Sequence, residues 1–170
     1  VRQTTQFIVG AAGESDRQII DATFGLYKRL KLGRVFFSAY QGGLGDSSLP
    51  GEHDPAPPTD RMTREHRLYQ SDYLIRQYRF EAGEIPTDSD GKLSLTEDPK
   101  VLWAKSHPET FPIHVNHADR YELLRVPGLG PVSVKRILEL RKGGGKVRRL
   151  DQLGKVGKRL TTASTYLRFD

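Results

Sequence analysis

Hydrophobic and polar positions change period several times along the chain. Residues 4–9, Thr-Thr-Gln-Phe-Ile-Val, are β-branched and aromatic and stop at Gly10-Ala11-Ala12-Gly13, which predicts a strand ended by small residues. Ser15 or Asp16 can cap a following helix over about 17–31, where Ile19 or Ile20, Phe24, Tyr27 and Leu30 recur at helical spacing and Gly33 is a stop. Arg34 to Tyr40, Arg-Val-Phe-Phe-Ser-Ala-Tyr, predicts a second strand, so residues 4–40 form a βαβ unit with parallel strands. Phe36 and Phe37 in succession suit a strand covered on both faces. Residues 41–60 are rich in Gly, Pro, Ser and Asp and predict a long loop. Residues 61–80 predict a helix with Leu68, Tyr69, Ile75 and Tyr78 on one stripe. Residues 81–112 read as a connector with turns at 84–91. Asp98-Pro99 opens a short helix there, and Leu102 and Trp103 anchor the segment on its neighbours.

Beyond residue 112 the pattern is helical throughout. Residues 116–126 predict a short helix that Asn116 can cap, with Leu124 on its apolar side. Pro127 cannot continue it, and Gly128 and Gly130 permit positive φ and bare their N–H groups. Pro131 suits the first turn of a new helix, in which Val134, Ile137, Leu138 and Arg141 repeat and Ile137 and Leu138 form the buried side. Bare N–H groups at a helix N-terminus attract an anion. With Ser133, Lys135 and Arg136 just beyond, phosphate is the natural ligand. After Gly143-Gly144-Gly145, Asp151 is placed to cap a further helix. Gly154-Lys155-Val156-Gly157 repeats the hairpin in degraded form, followed by Lys158 and Arg159.

Charge sharpens this picture. Residues 113–170 hold 13 Lys and Arg against 5 Asp and Glu, a net +8, whereas residues 1–112 hold 14 against 16, a net −2. A basic module on a near-neutral body is the electrostatic footprint of nucleic-acid binding, with a solubilising basic tail as the bland alternative. Asn116-x-Ala118, Leu123-Leu124, Pro127-Gly128-Leu129-Gly130 and Ile137 resemble the helix-hairpin-helix family. The resemblance implies that the hairpin grips a phosphate of double-stranded DNA by backbone amides without reading bases, through Gly128, Leu129, Gly130, Ser133, Lys135 and Arg136, with Lys155 and Lys158 at the second hairpin. One departure is Val132, where the family often carries Lys or Arg. Some members use the helix pair for packing alone.

The first half carries a second resemblance. Ile8-Val9-Gly10-x-x-Gly13-Glu14-Ser15-Asp16 is similar to the Gly-Glu-Thr-(Asp/Glu) turn late in the radical SAM barrel. Together with Val35 to Tyr40, Arg64-Glu65-His66-Arg67-Leu68-Tyr69-Gln70 and the carboxyl-terminal hairpin, it resembles a group of DNA modification or repair radical SAM proteins. The fold class this implies is α/β plus all-α: a partial radical SAM (β/α) barrel with its closing helix over 1–80, the connector 81–112, and a helix-hairpin-helix domain over 113–170. The implied cofactors are S-adenosylmethionine and a [4Fe–4S] cluster. Ile8, Gly10, Phe37, Ser38 and Ala39 would lie near the nucleoside; Glu14 would join them or cap the helix after it. The cluster needs three thiolates, and the chain has no Cys. The chain is therefore expected to hold no cofactor alone and to be the carboxyl-terminal part of a longer protein, with the amino-terminal barrel half as a partner.

Other candidates are weaker. His53-Asp54 sits on a loop and reads as solvated, Asp88-x-Asp90-Gly91 lacks the ligand count of a calcium loop, and Asp151 lacks a glycosylase context. Arg64, Glu65 and His66 are candidates for substrate contact, against a helix that only packs. No metal site is expected. No run approaches a membrane span, no leader is visible at Val1-Arg2-Gln3-Thr4, and the absence of Cys is compatible with the cytoplasm. The leading expectation is the carboxyl-terminal part of a radical SAM enzyme acting on DNA. The rival is a non-enzymatic DNA-binding or protein-docking adaptor.

Overall fold

The computed structural model describes residues 3–169, so the Val1-Arg2 part of the leader reading lies outside the described residues. The chain divides into two compact units between Pro99 and Lys100.

In the first unit, β1 (Thr4–Val9) and β2 (Arg34–Ala39) pair in parallel, Thr4 opposite Arg34 and Val9 opposite Ala39. Between them runs α1 (Asp16–Arg29). Ser15 settles the choice of cap: its side chain accepts from the Gln18 N–H, and Gln18 reaches back to the Ser15 N–H. Asp16 is instead 1% exposed, its carboxylate held by Arg64 Nε at 2.5 Å and the Leu93 N–H at 2.8 Å. The next helix, α2 (Pro58–Tyr78), starts at a proline in its first turn and packs on β2 and α1. Val9, Val35, Phe37, Ile19, Ile20, Leu68 and Ile75 are buried in this unit.

The sheet has two unlike edges. The outer edge of β2 is sealed by helix side chains. Tyr69 Oη donates to the Phe37 carbonyl at 2.9 Å and accepts its N–H at 3.0 Å, Glu65 accepts the Ala39 N–H at 2.8 Å, and Tyr27 Oη accepts the Val35 N–H at 2.8 Å. Burial lifts the Tyr27 hydroxyl far above its ordinary pKa, with its bond to Asp72 adding to the rise. The other edge of β1 has no partner strand among the described residues. One sheet face is open as well: Thr4, Gln6, Ile8, Arg34 and Phe36 are exposed. Phe36 therefore departs from the expectation of a strand covered on both sides. It is 38% exposed, with the Arg34 guanidinium 4.8 Å from its ring centre.

The segment 81–98 folds back on α1. Arg17 donates to the carbonyls of Ala82, at 2.6 Å, and Ile85, and its own N–H meets the Gly91 carbonyl at 2.8 Å. Asp88 accepts the N–H groups of Asp90 and Lys92, a plain turn.

The second unit begins with α3 (Pro99–Ser106), where Trp103 is buried. Strand β3 (Ile113–His114) pairs in parallel with β4 (Leu167–Arg168). Between them lie α4 (Arg120–Arg125), α5 (Pro131–Lys142), a 3-10 turn at Leu150–Leu153 and α6 (Lys158–Ser164). Its core holds Leu123, Leu124, Val126, Leu129, Val134, Ile137, Val147, Leu153, Leu160 and Ala163. Two expected caps move. Asp119, not Asn116, caps α4 by accepting from Tyr121 and Glu122. Asn116 instead pairs with the backbone of Val147 in both directions, at 3.0 and 2.8 Å. Asp151 lies inside the 3-10 turn in an exposed ion pair with Arg149, and the cap of α6 is Gly157.

Candidate nucleic-acid interface

The hairpin between α4 and α5 is built by three constraints. Pro127 follows Val126, whose extended backbone ends α4. Gly128 takes φ +85, and a Cβ there would lie 2.0 Å from the Arg159 carbonyl oxygen, so only glycine lets the hairpin sit against α6. Gly130 then caps α5, and Pro131 occupies its first turn.

The result is a run of bare donors. The N–H groups of Gly128, Gly130, Val132 and Ser133 have no hydrogen-bond partner among the described residues, whereas Leu129 N–H is used by the Val126 carbonyl. Val132 is thus less of a departure than its side chain suggests, since its backbone still offers a donor. Leu129 contributes backbone alone, because its side chain is 2% exposed in the core. Its carbonyl accepts from Lys100 Nζ at 2.7 Å, and Lys100 itself is 7% exposed. Lys100 carries no sequence signal: it lies in the short helix before the module, and the contact spans 29 positions.

The second hairpin stands beside the first. Gly154 at φ +135 faces Arg136, whose guanidinium donates to the Leu153 carbonyl at 2.9 Å. Arg136 therefore ties the hairpins together as well as carrying charge to the surface. Lys135 is exposed and forms an i,i+4 pair with Glu139 at 3.7 Å, which holds it weakly in water. Ser133 is half-buried in the first turn of α5. Lys155, Lys158 and Arg159 are exposed around the second hairpin, and Arg148 and Arg149 lie near it in sequence. At the far end of α5, Arg141, Lys142 and Lys146 line an open groove of about 470 Å³ with Asn116 and His117. Arg141 there donates to the carbonyls of Ala118 and His117, so part of this charge braces the fold.

The residues that the barrel resemblance implies for a cofactor fall on two sides of the first unit. Ile8 and Ser38 are opposite each other in register on the open face, Ile8 being 49% exposed. Phe37 is buried against the ring of Tyr69 at 5.1 Å, and Ala39 shares its side of the strand. Gly10 turns the chain at φ +88 after β1. Glu14 does not cap α1. Its carboxylate accepts the N–H groups of Gly10 at 2.5 Å and Ala12 at 3.1 Å, bracing the turn, with Arg64 alongside at 3.9 Å. Arg64 and Glu65 are likewise committed to the frame, and His66 is exposed. Tyr40 and Glu52 clasp the loop after β2. Glu52 accepts from the tyrosine hydroxyl at 2.5 Å and from the N–H groups of Gly43 and Leu44. That bond to Glu52 pushes the Tyr40 hydroxyl up to about 12 and holds the Glu52 carboxyl below its usual range.

His53 meets the Ser47 carbonyl, and Asp54 accepts from the Ala56 N–H with Arg61 at 3.6 Å. Among the described residues no group of His, Asp and Glu could hold a metal ion, and no helix is long and apolar enough to cross a membrane.

Residues 110–164 match the family model of the helix-hairpin-helix motif. The match spans both hairpins and supports a DNA-binding module. Comparison with curated proteins and with solved structures found no match to the chain.

Proposed function

We propose that the second unit grips double-stranded DNA through its phosphates, without reading sequence. The observation that carries this is the set of bare N–H groups at Gly128, Gly130, Val132 and Ser133, opening a twelve-residue helix beside exposed Lys135 and the cations of the second hairpin. Backbone amides and a helix N-terminus favour an oxyanion, and contacts of this kind position a protein without specifying bases. The test is fluorescence anisotropy with unrelated duplexes over a salt series. Binding should fall steeply with salt and differ little between sequences. Lys135→Ala and Lys158→Ala should each lower the slope of log K against log salt by about 1. No binding at low salt would overturn the reading and favour a protein-docking adaptor.

For the first unit we propose the late wall of a radical SAM barrel in an enzyme that modifies or repairs DNA in the cytoplasm. Three features support this reading. The two strands are parallel, the β2 edge is sealed by α2 as at the end of a sheet, and the β1 edge and one face are open where further strands would lie. In such a barrel the open face would be the interior, and Ile8 and Ser38, near the carboxyl ends of their strands, would face the ligand. The chain does not fit an iron–sulfur cluster, because it supplies no thiolate. Only the adenosine side of S-adenosylmethionine could meet these residues. Titrating the chain with S-adenosylmethionine and following the Ile8 and Ser38 amides by NMR tests this, and unmoved signals count against it.

A further inference from the structure

Lys100 is a charged side chain placed in the core of the DNA-gripping unit, outside the matched segment. Its ammonium donates to the Leu129 carbonyl. That oxygen and the Gly130 N–H belong to one peptide group, and the Gly130 N–H is one of the bare donors of the hairpin. An ammonium on the oxygen draws electron density through the amide and makes the N–H a stronger donor, and linked hydrogen bonds of this kind strengthen one another by roughly 10–30%. The same bond fixes the peptide plane, which Gly130 on its far side would otherwise leave freer to rotate.

We propose that Lys100 is a positioning residue of the phosphate grip, holding the Leu129–Gly130 peptide in place and polarising its N–H toward the phosphate. This rests on the DNA reading above. Lys100 is expected to act through the peptide and not by touching DNA, which separates it from surface lysines.

The test uses the full chain with Lys100→Met, which keeps the aliphatic stem, and Lys100→Cys treated with bromoethylamine, which restores an ammonium at the only cysteine in the protein. Trp103 fluorescence checks that the unit is folded. Lys100→Met should weaken duplex binding about two- to fourfold, the scale of losing roughly 10–30% of one charge-assisted hydrogen bond to phosphate. The salt slope should stay unchanged, because a buried group displaces no counterion. The Gly130 amide proton should move upfield in the free protein, and aminoethylation should restore both affinity and shift. A folded Lys100→Met that binds like wild type, or an unmoved Gly130 signal, overturns the proposal. Wild type failing to bind any duplex overturns the DNA reading itself, and this proposal with it. Should Lys100→Met not fold, wild type supplies a second measurement. A through-bond NMR coupling between Lys100 Nζ and the Leu129 carbonyl carbon is expected, and its absence overturns the proposal.

Discussion

Replacing Gly128 by alanine puts the hairpin to a quantitative test. Gly128 stands at φ +85, where an L side chain costs about 1–2 kcal/mol. The added methyl would also meet the Arg159 carbonyl oxygen at 2.0 Å, its carbon at 3.0 Å and the Ala163 nitrogen at 3.1 Å. All three are backbone atoms, so no rotamer change relieves the clash, and overpacking of this kind costs about 1–3 kcal/mol. The sum is about 2–5 kcal/mol, against a total stability of roughly 4–10 kcal/mol for a unit of about 70 residues. Gly157 supplies the control. It caps α6 at φ −145, and a Cβ there meets nothing within 4 Å. Gly157→Ala should cost under about 1 kcal/mol, the difference between Gly and Ala at a helix cap. Urea unfolding followed by Trp103 fluorescence reports this unit alone, since the chain has one tryptophan and it lies here. The reasoning fails if Gly128→Ala costs less than about 1 kcal/mol, or if the two glycines cost the same.

Three further outcomes are expected in the first unit. Tyr69→Phe removes the hydroxyl that serves both the N–H and the carbonyl of Phe37. It should cost about 1–3 kcal/mol and speed hydrogen exchange at the Phe37 amide, which native-state exchange measures. Asp16→Ala leaves Arg64 Nε and the Leu93 N–H without their acceptor, while Arg64 keeps Glu14, and should cost about 2–6 kcal/mol by thermal unfolding, about 1–3 for each orphaned donor; a shift within error would show that the carboxylate is not holding the frame. The Tyr40–Glu52 clasp sets a pH window. Glu52 is depressed from 4.5, so its contribution is present above that value and is lost as pH falls through the lower folded pKa. Tyr40 is raised from 10.0 to about 12, so its contribution is complete below 10.0 and is lost as pH rises through about 12. Tyr40→Phe should move the Glu52 titration back up in a carboxyl carbon-13 experiment, and an unmoved titration would assign the depression to the loop amides.

Much of the architecture was legible because it is local. The runs 4–9 and 34–40 are β-branched and aromatic around an amphipathic helix, and they do form the parallel pair. Pro127, Gly128, Gly130 and Pro131 spell out a helix break, a tight turn and a helix start within five positions, and the hairpin follows them. What escaped is non-local or too short to have a period. Strands β3 and β4 have two residues each and take their place from pairing across the unit. Asn116 looks like a cap from its neighbours, yet its amide matches the backbone of Val147, 31 positions away. Phe36 and Phe37 suggest two covered faces, but a face is covered only by a layer packed on it, and among the described residues the Phe36 face is open. At the hairpins the glycines that make the turns and the lysines that flank them stand out in the sequence. The lysine behind the hairpin could not, because nothing near Lys100 points to Leu129.

The β3–β4 ladder has a consequence for connectivity. It brings residues 113–114 and 167–168 side by side, with Ile113 N–H on the Tyr166 carbonyl and Val115 N–H on that of Arg168, both at 2.9 Å. The helices between these points form a ring that is closed in space although the chain is linear. Within it, Gly143 to Lys146 is exposed, and a Cβ at Gly144 would meet nothing within 4 Å. The covalent order of the module is therefore incidental to its contacts. Joining residue 168 to residue 113 through a short linker and opening the chain at Gly144 should keep the helices between them together, but without α3 and its Lys100 bond to the Leu129 carbonyl.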